Sequence, residues 1–162
     1  MIKLTRVDER FVHGQVAFAW TNTLGADCIF IVSDIVVEDK LRTTTLKLAA
    51  PAGVKFVVKS VKDAIELLNG EKTNKYKIFL IVDSTKDARE LVENVASIRQ
   101  INLGNMKMKE GKNFITNSIA VDKEDIENIK KMVELGAEVE CRAVPTDKKV
   151  MALDAINRRD NI

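Results

Sequence analysis

The chain has 162 residues, 46% apolar and 31% charged, which suits one globular domain with a sizeable core. Its formal net charge of +2 comes from interspersed basic and acidic residues and only 5% of the chain is aromatic, so neither a basic tail nor a stacking platform points to nucleic acid. The longest apolar runs, such as Ile78–Val82, are too short to span a bilayer, and the opening MIKLTRVDER carries no signal-peptide stretch, which predicts a cytoplasmic protein.

In chain order, Ile2–Thr5 reads as a first strand and Gln15–Thr21 as the helix that follows. Cys28–Val32, Val54–Val58 and Ile78–Val82 recur at similar spacing, and the first and third are almost continuously apolar, as buried parallel strands are. Leu41, Thr45 and Leu48 give one face of a helix stopped before Pro51. Ser60 with Asp63, and Ser84 with Asp87, carry the signature of helix N-termini. The first precedes Ala64, Ile65 and Leu68, and the second Ala88, Leu91, Val92 and Val95. Gln100–Leu103 is a further strand. Phe114–Val121 is another strand region, and Gly104–Gly111 before it offers a turn to an antiparallel neighbour. Asp122–Leu135 forms a helix with Ile126, Ile129 and Val133 on one face, ended by Gly136. Val139–Ala143 is a last strand, and Thr146 or Asp147 caps a final helix. Strands alternating with helices imply βαβ units and an open, mainly parallel α/β sheet. No linker or repeat divides the chain, so residues 1–162 read as one domain. Cys28 and Cys141 lie in apolar segments outside any CxxC pair and read as buried, reduced thiols.

In open α/β sheets ligands bind beyond the carboxyl ends of the strands. The segment Arg6-Val7-Asp8-Glu9-Arg10-Phe11-Val12-His13-Gly14-Gln15-Val16 lies there, and it contains the only histidine of the chain. A loop running into a helix N-terminus presents free backbone N–H groups and a positive dipole end, both suited to phosphate. Arginine adds a permanent charge and a fork of donors, and neutral imidazole is a competent nucleophile. The plain structural alternatives are a hydrogen-bonded His13, a turn at Gly14, and surface charges on Arg6 and Arg10 paired with Asp8 and Glu9. Val16, Phe18 and Trp20 read as core or interface.

Other chemistries fit less well. A phosphoglycerate-mutase-like phosphatase needs a second histidine. One histidine and two isolated cysteines make a poor metal-ligand set, and no P-loop or GxGxxG marks a nucleotide site. A receiver-type domain is the stronger rival, because Asp8 and Glu9 follow the first strand as its metal-binding acids do. Its acceptor aspartate is missing, however, after Val57-Val58-Lys59.

The segment from Arg6 to Val16 resembles the active-site segment of the mannose/fructose/sorbose family of phosphotransferase-system IIB components. The likeness continues through Ser33-Asp34, Lys47-Leu48-Ala49-Ala50-Pro51, Gly53-Val54, Asn102-Leu103-Gly104 and Val144-Pro145. Ser33-Asp34 departs from that family's Asn-Asp pair. The resemblance implies a doubly wound fold with helices on both faces and a transient phosphohistidine at His13, with Nδ1 as the reacting nitrogen. The phosphoryl group would come from a IIA component and pass to a sugar held by membrane IIC and IID components, on which the protein docks peripherally. Arg10 would hold the phosphoryl group and Asp8 would orient the ring. Arg6, Gly14 and Gln15 would bind phosphate, and no metal or other cofactor is implied. A histidine-phosphorylated signalling or adaptor domain is the alternative, and self-association is left open.

Overall fold

The structure is a computed structural model that describes residues 1–160. Nine strands and six helices alternate along it. They run β1 (Ile2–Asp8), α1 (Gly14–Leu24), β2 (Cys28–Val32), α2 (Lys40–Ala49), β3 (Lys55–Lys59), α3 (Val61–Asn69), β4 (Ile78–Val82) and α4 (Thr85–Asn94). There follow β5 (Gln100–Asn105), β6 (Asn113–Thr116), β7 (Ile119–Val121), α5 (Lys123–Glu134), β8 (Glu138–Cys141), β9 (Val150–Met151) and α6 (Ala152–Asp160). A short 3-10 turn, Val36–Glu38, precedes α2.

Seven strands form one sheet in the order β3-β2-β4-β1-β5-β8-β9, parallel except for the β8–β9 pair. The central strands β2 and β4 are buried at every position, as their unbroken apolar runs require. Alternate residues feed two cores. Ile29, Ile31, Phe79 and Ile81 face one core with Leu4, Trp20 and Leu46. Cys28, Phe30, Ile78 and Leu80 face the other with α3, α4, α5 and α6. The expected doubly wound, mainly parallel α/β architecture is therefore the observed one. Right-handed crossovers place a helix on one face when the chain moves one way along the sheet and on the opposite face when it turns back. Ser60 and Ser84 cap α3 and α4 by accepting the backbone N–H of Asp63 and Asp87, and Asp122 with Asp125 completes a capping box on α5.

Several local expectations need correction. β1 runs three residues past Thr5, because Arg6 and Asp8 satisfy each other inside the sheet instead of marking a loop. Phe114–Val121 is a hairpin, β6–β7, paired apart from the main sheet. The antiparallel member of the main sheet is β9, in a stretch read as helix. Asp147 caps no helix: its carboxylate accepts the backbone N–H groups of Ala143 and Val144 and closes a turn, and α6 starts at Ala152. In α2 the stripe Leu41, Thr45, Leu48 points outward, with Leu41 78% and Leu48 82% exposed, and Leu46, 7% exposed, is the residue that anchors the helix.

Leu46→Ala should therefore lower stability by about 2–5 kcal/mol, the cost of a cavity at a buried leucine. Leu48→Ala should stay within about 0.5 kcal/mol of the parent. Urea denaturation midpoints at constant m-value separate the two outcomes.

Candidate functional site

The chain leaving β1 turns through α1 toward β2, whereas the chain leaving β5, its neighbour, moves toward β8. Their carboxyl ends therefore bound the crevice at which open α/β sheets bind ligands. Between the Val7–Leu103 and Asp8–Asn105 partners, β5 contains one extra residue, Gly104, and this bulge re-aims the strand end.

Asp8 is the last residue of β1 and is 0% exposed. Its Oδ2 accepts from Arg6 Nε at 3.1 Å, Arg6 Nη2 at 2.9 Å and His13 Nε2 at 2.8 Å. Its Oδ1 accepts from the backbone N–H of Arg10 at 2.9 Å and from Asn105 Nδ2 at 3.4 Å. The Arg10 bond and the backbone bond from Phe11 N to Asp8 O, 3.0 Å, close a tight turn. Phe11 pays for that turn with φ 57°, an uncommon angle for a bulky residue, and its ring is buried beneath the guanidinium of Arg42. The turn brings the chain back over Asp8, so that His13 becomes the N-cap residue of α1.

A carboxylate offers only acceptors, so the His13–Asp8 contact places the ring proton on Nε2 and leaves Nδ1 with its lone pair free. The His13 side chain is 20% exposed and forms no cap bond to α1, whose first N–H groups face the same opening. Gly14, at φ 48°, and Gln15 are exposed there. The Arg10 side chain is exposed beside His13 in sequence and has no hydrogen-bond or ion-pair partner among the described residues. This arrangement can present an imidazole nucleophile at an anion-binding helix terminus, with a free guanidinium on the same loop.

Arg6 lies elsewhere than expected. It is 2% exposed, beneath the site, and its guanidinium is committed to Asp8, Asn102 Oδ1 at 2.7 Å and the Arg142 carbonyl at 3.1 Å. Burial lowers its pKa and the Asp8 charge opposes that. It therefore neither binds phosphate directly nor makes the rim basic; it positions Asp8. Asn102 in turn donates to Glu140 Oε1 at 3.1 Å and to the Arg142 carbonyl at 3.1 Å, and Glu140 holds Arg142 at 2.9 Å. Trp20 of α1 covers this assembly, with the Arg6 and Arg142 guanidiniums 5.5 and 5.1 Å from its ring centroid and its Nε1 donating to the Ala143 carbonyl. A Cβ on Gly104 would lie 2.0 Å from Arg6 Cζ, so only glycine fits there. Asn102 and Gly104 stand out in the sequence as part of a motif; Glu140, Arg142 and Asn105 carry no signal there.

Along the rim, burial raises the carboxyl pKa of Asp83, just past β4. Asp87 in α4 is raised to about 6, by burial first and then by the charges of Asp83 and Asp34. Both thiols are buried, and desolvation pushes Cys28 up to about 11 and Cys141 to about 12, so they are inert.

The fold and site define an open α/β protein with a histidine held by a buried carboxylate at a helix N-terminus, beside the switch point of the sheet. The chain belongs to the PTS system sorbose subfamily IIB component family, whose sequence model matches residues 2–161. It is 38% identical over 160 residues to the mannose-specific EIIAB component of Escherichia coli strain K12, covering 99% of this chain and 50% of that protein. It thus spans about half the length of that relative. It is 35% identical to the sorbose-specific EIIB component of Lacticaseibacillus casei, covering 91% of this chain and 90% of that one. Among solved structures, the IIBSor domain of the Klebsiella pneumoniae sorbose permease superposes with a TM-score of 0.93 at 32% identity, over 98% of this chain and 97% of that one. The N-acetylgalactosamine-specific IIB component 1 of Escherichia coli gives 0.87 at 33%, over 92% and 97%.

Gly104→Ala should destabilise the protein by about 3–5 kcal/mol, because the buried Arg6–Asp8 pair must separate to admit the methyl group. Denaturant unfolding measures the loss, and His13 ring-proton resonances should lose the signature of the Asp8 hydrogen bond.

The raised carboxyl pKa of Asp87 means that the folded protein binds this proton more tightly than the unfolded chain does. Its stabilising contribution is complete below the ordinary value of 3.8 and is lost as pH rises through about 6. Asp87→Asn should thus remove a fall in stability between those limits and leave the variant more stable at pH 7, by on the order of 1 kcal/mol after solvent screening and the lost helix-dipole interaction. Thermal unfolding across that pH range gives the test.

Proposed function

We propose that His13 carries a phosphoryl group between a IIA component and a sugar bound by membrane IIC and IID components. The observation that carries this reading is the 2.8 Å bond from His13 Nε2 to the fully buried Asp8, which leaves Nδ1 as the nucleophile. The Nδ1 lone pair attacks the phosphorus of the donor's phosphoimidazole, an N–P bond forms as the donor's N–P bond breaks, and the donor imidazole leaves. As the His13 ring gains positive charge, Asp8 stabilises it without taking the proton, as the carboxylate of a Ser-His-Asp triad does. The reverse logic governs the second step: a sugar hydroxyl attacks phosphorus as the N–P bond breaks, its proton passes to water or to a base of the sugar-binding component, and His13 departs as neutral imidazole with the bonding pair returned to Nδ1. Exchange between imidazoles makes and breaks the same kind of bond, so the first step is nearly thermoneutral.

Phosphoryl transfer asks mainly for position and charge stabilisation. Arg10 and the α1 N-terminus supply the charge, with Gly14 and Gln15 contributing backbone N–H groups. Arg42 of α2 stacks over Phe11 of the site loop, and Leu41 beside it in sequence and Ile35 just before α2 are exposed apolar residues that suit a protein partner. Relatives with mannose, sorbose and N-acetylgalactosamine in their names match this chain along nearly its whole length, which supports sugar choice residing in the membrane components. Among the described residues no helix is long and apolar enough to cross a membrane, in keeping with a cytoplasmic carrier that docks on one.

With phosphorylated IIA as donor, intact-mass spectrometry should detect one added phosphate on the parent and none on His13→Ala. Phosphate retained in the presence of IIC, IID and every hexose or hexosamine offered would instead mark a signalling domain. Asp8→Asn should slow single-turnover acceptance by roughly 10²- to 10⁴-fold, the scale seen when an orienting carboxylate loses its charge. Arg10→Ala should slow transfer more than it weakens IIA binding, and Arg10→Lys should recover part of the rate; equal rates for all three would make Arg10 ordinary surface charge.

A further inference from the structure

A second cavity of about 770 Å³ lies along the free edge of the sheet, bounded by β3, the C-terminal part of α3 and the turn that leads into β4. It begins at Cys28, Lys55 and Ile78, the first residues of β2, β3 and β4, whereas His13 lies beyond the opposite end of the sheet. The cavity lies where the C-terminal end of α3 and the turn after it stand over the edge strand β3. Half-buried Val57, Leu67 and Tyr76 supply its accessible apolar surface. Beneath them, Phe30 and the Cys28 thiol, held neutral by burial, complete an apolar floor.

Four lysines, at 55, 59, 72 and 75, line this space against a single acid, Glu71, in a chain whose net charge is only +2. Lys55 and Lys59 alone would be explained as protection of an edge strand against pairing. Lys72 and Lys75 come from a different element and converge on the same mouth, and protecting β3 does not require them. The ammonium groups of Lys55 and Lys75 lie 5.0 and 5.2 Å from the centroid of the Tyr76 ring. A binding cleft needs a largely apolar wall, a volume of roughly 300–1,000 Å³ and a few convergent polar groups; all three are present.

We propose that this cleft binds a small amphipathic carboxylate, its aryl or alkyl body on Val57, Leu67 and Tyr76 and its charge between Lys55 and Lys75. No arginine lines the cleft, so the paired donor fork that favours phosphate is missing, and flexible ammonium groups around an apolar floor suit a singly charged head. The site is independent of phosphoryl transfer at His13.

Titration of the full chain with 4-phenylbutyrate, followed by amide ¹H–¹⁵N spectra, provides the test. Saturable shifts should appear at residues 28–30, 55–59, 67 and 71–78 and spare the 8–16 segment. The double variant Lys55→Gln/Lys75→Gln changes two exposed side chains and should keep a parent-like spectrum while binding at least about fivefold more weakly. The neutral isostere 4-phenylbutanol should be weaker by a similar factor, and inorganic phosphate alone should cause no saturable shift in the cleft. Absence of saturation with 4-phenylbutyrate, equal affinity for the alcohol, tight binding of phosphate alone, or indifference to the double variant would each overturn the assignment.

Discussion

The rest of the site depends on one buried carboxylate. Asp8 is removed from water and must be compensated in place, because an uncompensated buried charge costs several kcal/mol. Arg6 provides the counter-charge from two residues earlier on the same face of β1, and a second buried charge then needs partners of its own. Asn102, the Arg142 carbonyl and the space above Gly104 meet that need. The chain of obligations runs from β1 through β5 to β8 and ends at Glu140–Arg142, near the protein surface. What reaches the outside is a single oriented imidazole. The extent of this support explains how a side chain on a surface loop can be held as firmly as one in a strand.

Topology decides where that imidazole stands. Reversal of chain direction between β1 and β5 leaves their carboxyl ends uncovered, and the bulge at Gly104 turns the end of β5 toward Asp8. The tight turn from Asp8 to Phe11 then delivers His13 to the start of α1. Strain at Phe11 is offset by burial of its ring, which couples the geometry of the loop to the core beneath α2.

Much of the architecture was legible in the sequence because apolar runs and serine caps are local signals. Cys28–Val32 and Ile78–Val82 are strands over the residues their composition marks, and Ser60 and Ser84 cap the helices they precede. His13, Arg10 and Asp8 were visible as a cluster. The errors share one cause, a residue whose environment is set far along the chain. Arg6 reads as surface because arginines usually are, and only Asn102 and residue 142, distant in sequence, make it a core residue. Leu41, Thr45 and Leu48 mark the helix but not its buried side, because nothing local reveals that Leu46 is the residue α2 buries. Val150–Met151 is a strand only because Glu140 and Cys141 stand opposite.

Trp20 has a further consequence. It is the only tryptophan in the sequence, it is buried, and two guanidiniums lie against its ring, one of which is bonded to the carboxylate that holds His13. Indole emission responds to fixed charge nearby, so the protein contains an optical gauge wired to the Asp8–His13 pair. Any rearrangement of charge at His13 that tugs on Asp8 and Arg6 is registered as a change in the light from one known position, with no dye and no second fluorophore of the same kind to confuse it.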